Sequence, residues 1–248
     1  NAPELFDPST GTFTRLTTEV TTPPYERTEH AAHAVEVDGR TFVYLIGGRG
    51  RISLTGTTLG TRSDFRIGEL VPAGDGETLR NTLAIGPDLA RSPQAVSSFT
   101  FTPTGPLDGQ GFGDFILAGT YTRELDVQLV EPVALAVTLA QDPSYDDVPV
   151  SPMTTDRSGH AAALIEPGLV LAAGGQVLGT GAPIPEAEVF AAEAQQFFPF
   201  PLKNGAPRLL IGRYGHTATK LDDGRILFLG GFNADGTATA LAEFFELP

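Results

Sequence analysis

Three stretches of the chain set an arginine just ahead of a histidine: Arg27-Thr-Glu-His30, Arg157-Ser-Gly-His160 and Arg213-Tyr-Gly-His216. A fourth, Arg91-Ser-Pro-Gln94, keeps the arginine and loses the imidazole. A guanidinium offers a planar fork of donors that fits a carboxylate or phosphate in bidentate fashion. An imidazole binds metals or moves protons near neutral pH. Arg49 follows Gly47-Gly48, and Tyr25 and Tyr214 lie close to two of the repeated arginines. Together these residues could recognise an anion between aromatic platforms. The competing assignment is structural: the arginines pair with carboxylates such as Glu26, Glu29, Asp156 and Asp222 and knit the fold. The sequence leaves both open.

Other chemistry finds less support. Zinc needs three or four ligands around one point. His30, His160 and His216 recur at one repeat position, which separates them, and His30 and His33 fall on opposite sides of a strand. They are read as hydrogen-bonding a neighbouring unit, and no metal is expected. The acidic turns YDDVPV (145–150), KLDDG (220–224) and FNADGT (232–237) hold only fragments of a calcium loop. There is no Gly-x-Ser-x-Gly, no phosphate-cradling glycine loop and no His-Glu-x-x-His. No catalytic residue and no cofactor are assigned.

The elements that position these residues repeat with them. After each arginine come two apolar runs joined by a turn and closed by glycine. HAAHAVEV and TFVYLIGG flank Asp38-Gly39, the strongest short hairpin signal. Glu166-Pro-Gly and Asp222-Asp-Gly make the corresponding turns in the last two copies, while the copy after Arg91 has Gly119-Thr120 where Gly-Gly should stand. A third run follows each variable loop: AEVFAAEAQQFFPF (187–200), AEFFELP (242–248) and, at the start, PELFDPSTGTFTRL (3–16). The last of these shows strand, Asp-Pro-Ser-Thr-Gly turn and strand in full. Each unit therefore reads as four antiparallel strands, and no segment carries a sustained helical stripe.

These residues resemble the kelch repeat, best over 1–50 and 157–248 and poorly over 51–156. The resemblance implies an all-β fold, a β-propeller built of four-stranded antiparallel kelch-like blades around a channel. The units are strands c and d of one blade at 1–20, a blade at 27–85, a divergent blade at 91–140, a blade at 157–203, and one lacking its last strand at 213–248. That tally fits an arc of a larger ring, or a compact ring closed by an amino-terminal strand. Kelch repeats usually carry a tryptophan in the last strand; this chain has none, and Phe13, Phe198 or Phe200 is expected in its place. The blade order puts Arg27, Arg49, Arg91, Arg157 and Arg213 around one channel mouth, with Tyr25 and Tyr214 beside them.

Composition bounds the function. A net charge of −14 argues against nucleic acid and anionic membranes. The absence of cysteine removes disulfides, thiolate zinc and cysteine nucleophiles. No apolar run reaches membrane-spanning length, and the first residues have no signal-peptide pattern. Low Lys with an acidic balance leans toward an extracytoplasmic bacterial protein. The favoured function is a non-catalytic interaction module that presents the loops at 48–64, 103–113, 141–156 and 175–187 to a protein partner. One alternative is a carbohydrate-active, epimerase-like or acidic-sugar-binding propeller, with Glu29 or Asp156 as its candidate acid or base. The other is a structural accessory subunit of a cell-surface assembly.

Overall fold

The computed structural model describes residues 4–15, 17–19, 27–51, 59–61, 65–73, 76–84, 94–123, 126–140, 144–199 and 208–246. Among them every regular element is a strand, and no helix is long and apolar enough to cross a membrane. The chain opens with β1 (Glu4–Asp7), β2 (Thr12–Arg15), β3 (Thr17–Glu19) and β4 (Arg27–Thr28). Then come β5 (Ala31–Val37), β6 (Arg40–Ile46), β7 (Arg49–Arg51), β8 (Leu59–Thr61), β9 (Phe65–Ala73) and β10 (Gly76–Ala84). The middle holds β11 (Gln94–Pro103), β12 (Gly113–Arg123), β13 (Asp126–Ala140) and β14 (Ser144–Pro149). The final part holds β15 (Arg157–Ser158), β16 (Ala161–Glu166), β17 (Leu169–Ala173), β18 (Gln176–Val177), β19 (Ala187–Ala191) and β20 (Gln196–Pro199). It ends with β21 (Thr217–Lys220), β22 (Ile226–Leu229) and β23 (Ala242–Phe245).

Four principal sheets follow one another along the chain. The first has the order β3-β10-β9-β6-β5, the second β11-β12-β13-β14, the third β16-β17-β19-β20 and the fourth β21-β22-β23. Neighbouring strands are antiparallel, except that β3 lies parallel to β10 as a fifth strand on the first sheet. Smaller sheets pair β1 with β2, β15 with β18, and β4 with β7 and β8.

Local sequence explains the hairpins. Asp38 and Gly39 both take positive φ, 51° and 73°, as a two-residue type I′ turn requires. Along β16, Ala161, Ala163 and Ile165 are buried while Ala162 and Leu164 are half-buried on the other face, the period-two pattern of a strand covered on both sides. Gly-Gly stops the second strand because its second glycine meets the backbone of the preceding arginine segment. A Cβ on Gly175 (φ +96°) would lie 2.7 Å from the Ser158 carbonyl oxygen, and one on Gly231 (φ +95°) 2.6 Å from that of Tyr214. Where Gly119-Thr120 replaces the pair the stop is lost, and β12 runs on to Arg123 beside the long β13. The second sheet also takes its fourth strand from Ser144–Pro149, beyond the expected boundary at 140 and inside a stretch read as loop.

Three apolar cores join the four sheets in series. Phe42, Tyr44 and Ile46 of the first sheet pack with Phe115, Leu117 and Val137 of the second. Ile116, Ala118 and Ala134 on the other face of the second sheet pack with Val170, Ala172, Phe190 and Phe197 of the third. Leu171, Ala173 and Val189 on the third sheet's far face pack with Ile226 and Phe228 of the fourth. The first strands also lie side by side in turn, β5 on β11, β11 on β16 and β16 on β21. Each sheet buries two faces only by having two neighbours, so stability is shared along the series.

Candidate functional site

The repeated arginines become clamps. Arg157 and Arg213 are both 0% exposed. Nη1 of Arg157 donates to the carbonyls of Gly174 (3.0 Å) and Glu186 (2.7 Å), and Nη2 meets Glu188 Oε1 at 2.7 Å. Nη1 of Arg213 donates to the carbonyls of Leu241 (2.9 Å) and Gly230 (3.4 Å), and Nη2 pairs with Glu243. Glu188 also accepts from the backbone amides of Thr154 and Thr155, and Glu243 from that of Leu210. Each guanidinium thus ties the loop ahead of its own first strand to the end of the second strand and the start of the third. Burial lowers the pKa of both arginines, and Glu188 opposes that shift at Arg157.

These forks face into the protein. The carboxylates that meet them are Glu188 and Glu243 on the third strands, not the nearby Asp156 or Asp222. A signal for this was available: AEVF and AEFF set one glutamate in an otherwise apolar strand, and a carboxylate buried there needs a cation. In the first sheet the matching register position sets Arg66 opposite Leu45, where the third and fourth sheets set Glu188 opposite Ala172 and Glu243 opposite Phe228; its buried glutamate, Glu69, stands opposite Phe42 and pairs with Arg40 instead. Arg27 and Arg49 sit on the paired strands β4 and β7, in register Arg27↔Gly50 and Thr28↔Arg49. Tyr25 and Arg91 lie outside the described residues. Tyr214 stacks on Phe232 at 5.6 Å between ring centroids.

The histidines contact neighbouring sheets. His160 and His216 are buried. His160 Nε2 lies 3.1 Å from Thr100 Oγ1 of the second sheet. The His216 ring is packed against Gly174 at the end of β17, leaving no room for a Cβ there. His33 Nε2 is 2.7 Å from the Gly111 carbonyl oxygen. Burial, then the charges of Arg157 and His216, push His160 down to about 3; burial and Arg213 push His216 down to about 4. Both stay neutral at pH 7. Among the described residues no group of three or more metal-ligating side chains is brought together.

An apolar lip went unread in the sequence. In the third sheet the clamp is edged by Thr154, Thr155 and Glu186; at the matching places in the fourth stand Leu210, Ile211 and Leu241. Leu210 is 88% exposed, and Ile211, Leu241 and Phe232 are also exposed. Their backbone is anchored: Leu210 N–H donates to Glu243, Gly230 N–H donates to the Leu241 carbonyl, and Tyr214 and Phe232 bond each other in both directions. The signal was the Leu-Leu-Ile run of RLLIGR where the other copy has Thr-Thr.

No protein-family model matches the chain, and no curated protein matches it. Among solved structures it is similar to that of YjhT, with a TM-score of 0.62 at 10% identity, covering 96% of this chain and 70% of that one. At that identity the likeness concerns the fold alone. Fold and site define an all-β protein of serially packed, mainly antiparallel sheets, two of them locked by a buried arginine–glutamate clamp.

Proposed function

We propose that the chain is a kelch-like β-propeller domain, an arc of blades acting as a non-catalytic, extracytoplasmic interaction module. The observation that carries the reading is the lip of Leu210, Ile211, Phe232 and Leu241. Large side chains are exposed there on backbone fixed by a buried clamp, while the matching edge of the third sheet is polar. Exposed large apolar side chains on a rigid frame are characteristic of a protein-contact surface. The groups best suited to chemistry, Arg157, Arg213, Glu188, Glu243, His160 and His216, are engaged in the fold's own contacts. The acidic-sugar reading calls for guanidinium forks open to a ligand, and those of Arg157 and Arg213 are occupied.

A photo-crosslinking residue at Leu210, with the same residue at Phe198 as control, tests this in extract of the producing cells. The reading expects one partner captured from position 210 alone and lost in Phe232→Ser. Equal labelling from both positions, or none from position 210, would sink it. A saturable rise in thermal stability with a sugar acid, absent in Tyr214→Ala, would favour the carbohydrate reading instead.

A further inference from the structure

The amino-terminal hairpin is a copy of the outer half of the third sheet with its aromatic pair uncovered. In β1–β2 the register sets Phe6 opposite Phe13; in β19–β20 it sets Phe190 opposite Phe197. Ring centroids are 4.9 Å apart in the first pair and 5.1 Å in the second, both tilted. Their surroundings differ. Phe190 and Phe197 are each 1% exposed, whereas Phe6 is 50% and Phe13 68% exposed.

The buried pair shows what such a hairpin packs on. Phe190 and Phe197 sit with Ile116, Ala118 and Ala134 on the face of the second sheet that looks toward the third. That face is built on the pairs Ile116↔Ala136 and Ala118↔Ala134. The fourth sheet has the corresponding pairs Leu227↔Phe244 and Leu229↔Ala242, in the same register relative to Gly119 and Gly230. Ile226 and Phe228, on the opposite face, are buried against the third sheet. Leu229 and Phe244 are about half exposed, and Ala242 is exposed. β23 pairs with β22 on one side and with no other strand among the described residues. At the rim the Arg225 guanidinium, paired with Asp223, lies 4.3 Å over the Phe244 ring.

We infer that the Leu227–Leu229–Phe244 face of the fourth sheet takes the β1–β2 hairpin of a second copy of this chain, seating Phe6 and Phe13 as Phe190 and Phe197 are seated within the chain. Every copy carries both halves of the contact, so the association is head-to-tail. It covers an exposed aromatic pair and an exposed apolar face together. The inference does not rest on the Leu210 lip, and Leu210→Asp leaves the association intact.

Sedimentation velocity of the full chain over a concentration series tests it. The expected result is a mass that rises with concentration and returns to monomer in Phe13→Glu and in Leu229→Glu. Both substitutions are at exposed positions, and an unchanged thermal midpoint confirms that each variant folds. Because each variant keeps one half of the contact, mixing them restores a one-to-one heterodimer and nothing larger. A wild-type chain that stays monomeric overturns the inference, whether its own hairpin closes on the face or not. So does association that persists in both variants, or a mixture that remains monomeric.

Discussion

Arg157 and Glu188 meet at 2.7 Å with neither side chain more than 3% exposed. The pair closes a loop of contacts in which the guanidinium also holds the carbonyls of Gly174 and Glu186, and the carboxylate holds the amides of Thr154 and Thr155. Arg213 and Glu243 repeat it one sheet later.

Breaking the clamp on one side leaves a charge buried without its partner. Arg157→Ala should cost about 3–5 kcal/mol in urea unfolding. Replacing both partners, as Arg157→Met with Glu188→Leu, should recover only part of the loss. The buried Gly174 carbonyl would lose its Arg157 donor, and the part-buried Glu186 carbonyl and Thr154 amide would lose their side-chain partners. Full recovery in the double variant would mean that the ion pair, and not the backbone clamp, is what the site contributes.

Acid should unfold the protein partly through its two buried histidines. Burial holds their folded pKa values at about 3 and about 4, below the ordinary histidine value of 6.5. The unfolded chain therefore binds these protons first as pH falls, and stability drops from pH 6.5 downward toward those values. The contribution is present in full above the unfolded value. His160→Gln should flatten this limb in a series of thermal midpoints between pH 7 and 4. An unchanged slope would show that His160 is not held neutral by the fold.

Gly175→Ala and Gly231→Ala should destabilise more than Gly224→Ala. All three glycines have positive φ, which by itself costs an added side chain roughly 1–3 kcal/mol. At Gly224 nothing lies within 4 Å of the new Cβ, while at Gly175 and Gly231 it would meet a carbonyl oxygen at 2.7 and 2.6 Å. Equal midpoints for the three variants would remove the close approach as the reason for the second glycine.

Phe197, not its neighbour, fills the aromatic place of the fourth strand. Phe197 is 1% exposed against Phe190, and Phe198 is 40% exposed. Phe197→Ala should cost about 3–5 kcal/mol, and Phe198→Ala less than about 1 kcal/mol. The reverse order in denaturant titrations would show that β20 pairs one residue out of the observed register.

The sequence by itself determined the strands, the turns and their recurrence, because these depend on local chemistry. Asp38-Gly39 makes a hairpin whatever surrounds it, Gly174-Gly175 stops a strand against backbone close in sequence, and β16 is a short apolar run from Ala161 to Ile165. The copy that lost Gly-Gly was legible as divergent for the same reason, though not its late fourth strand at Ser144–Pro149. Choosing among Phe13, Phe198 and Phe200 for the aromatic place required the register of β20, since a shift of one residue exchanges buried for exposed. The direction of the arginines was a tertiary decision. A guanidinium can point to solvent or inward with the same spacing, and only the third strand laid beside the second brings Glu188 to Arg157. Likewise Phe6–Phe13 and Phe190–Phe197 are near-identical in local chemistry. Whether a hairpin's aromatic pair is covered is settled by the sheet packed against it, which no local pattern contains.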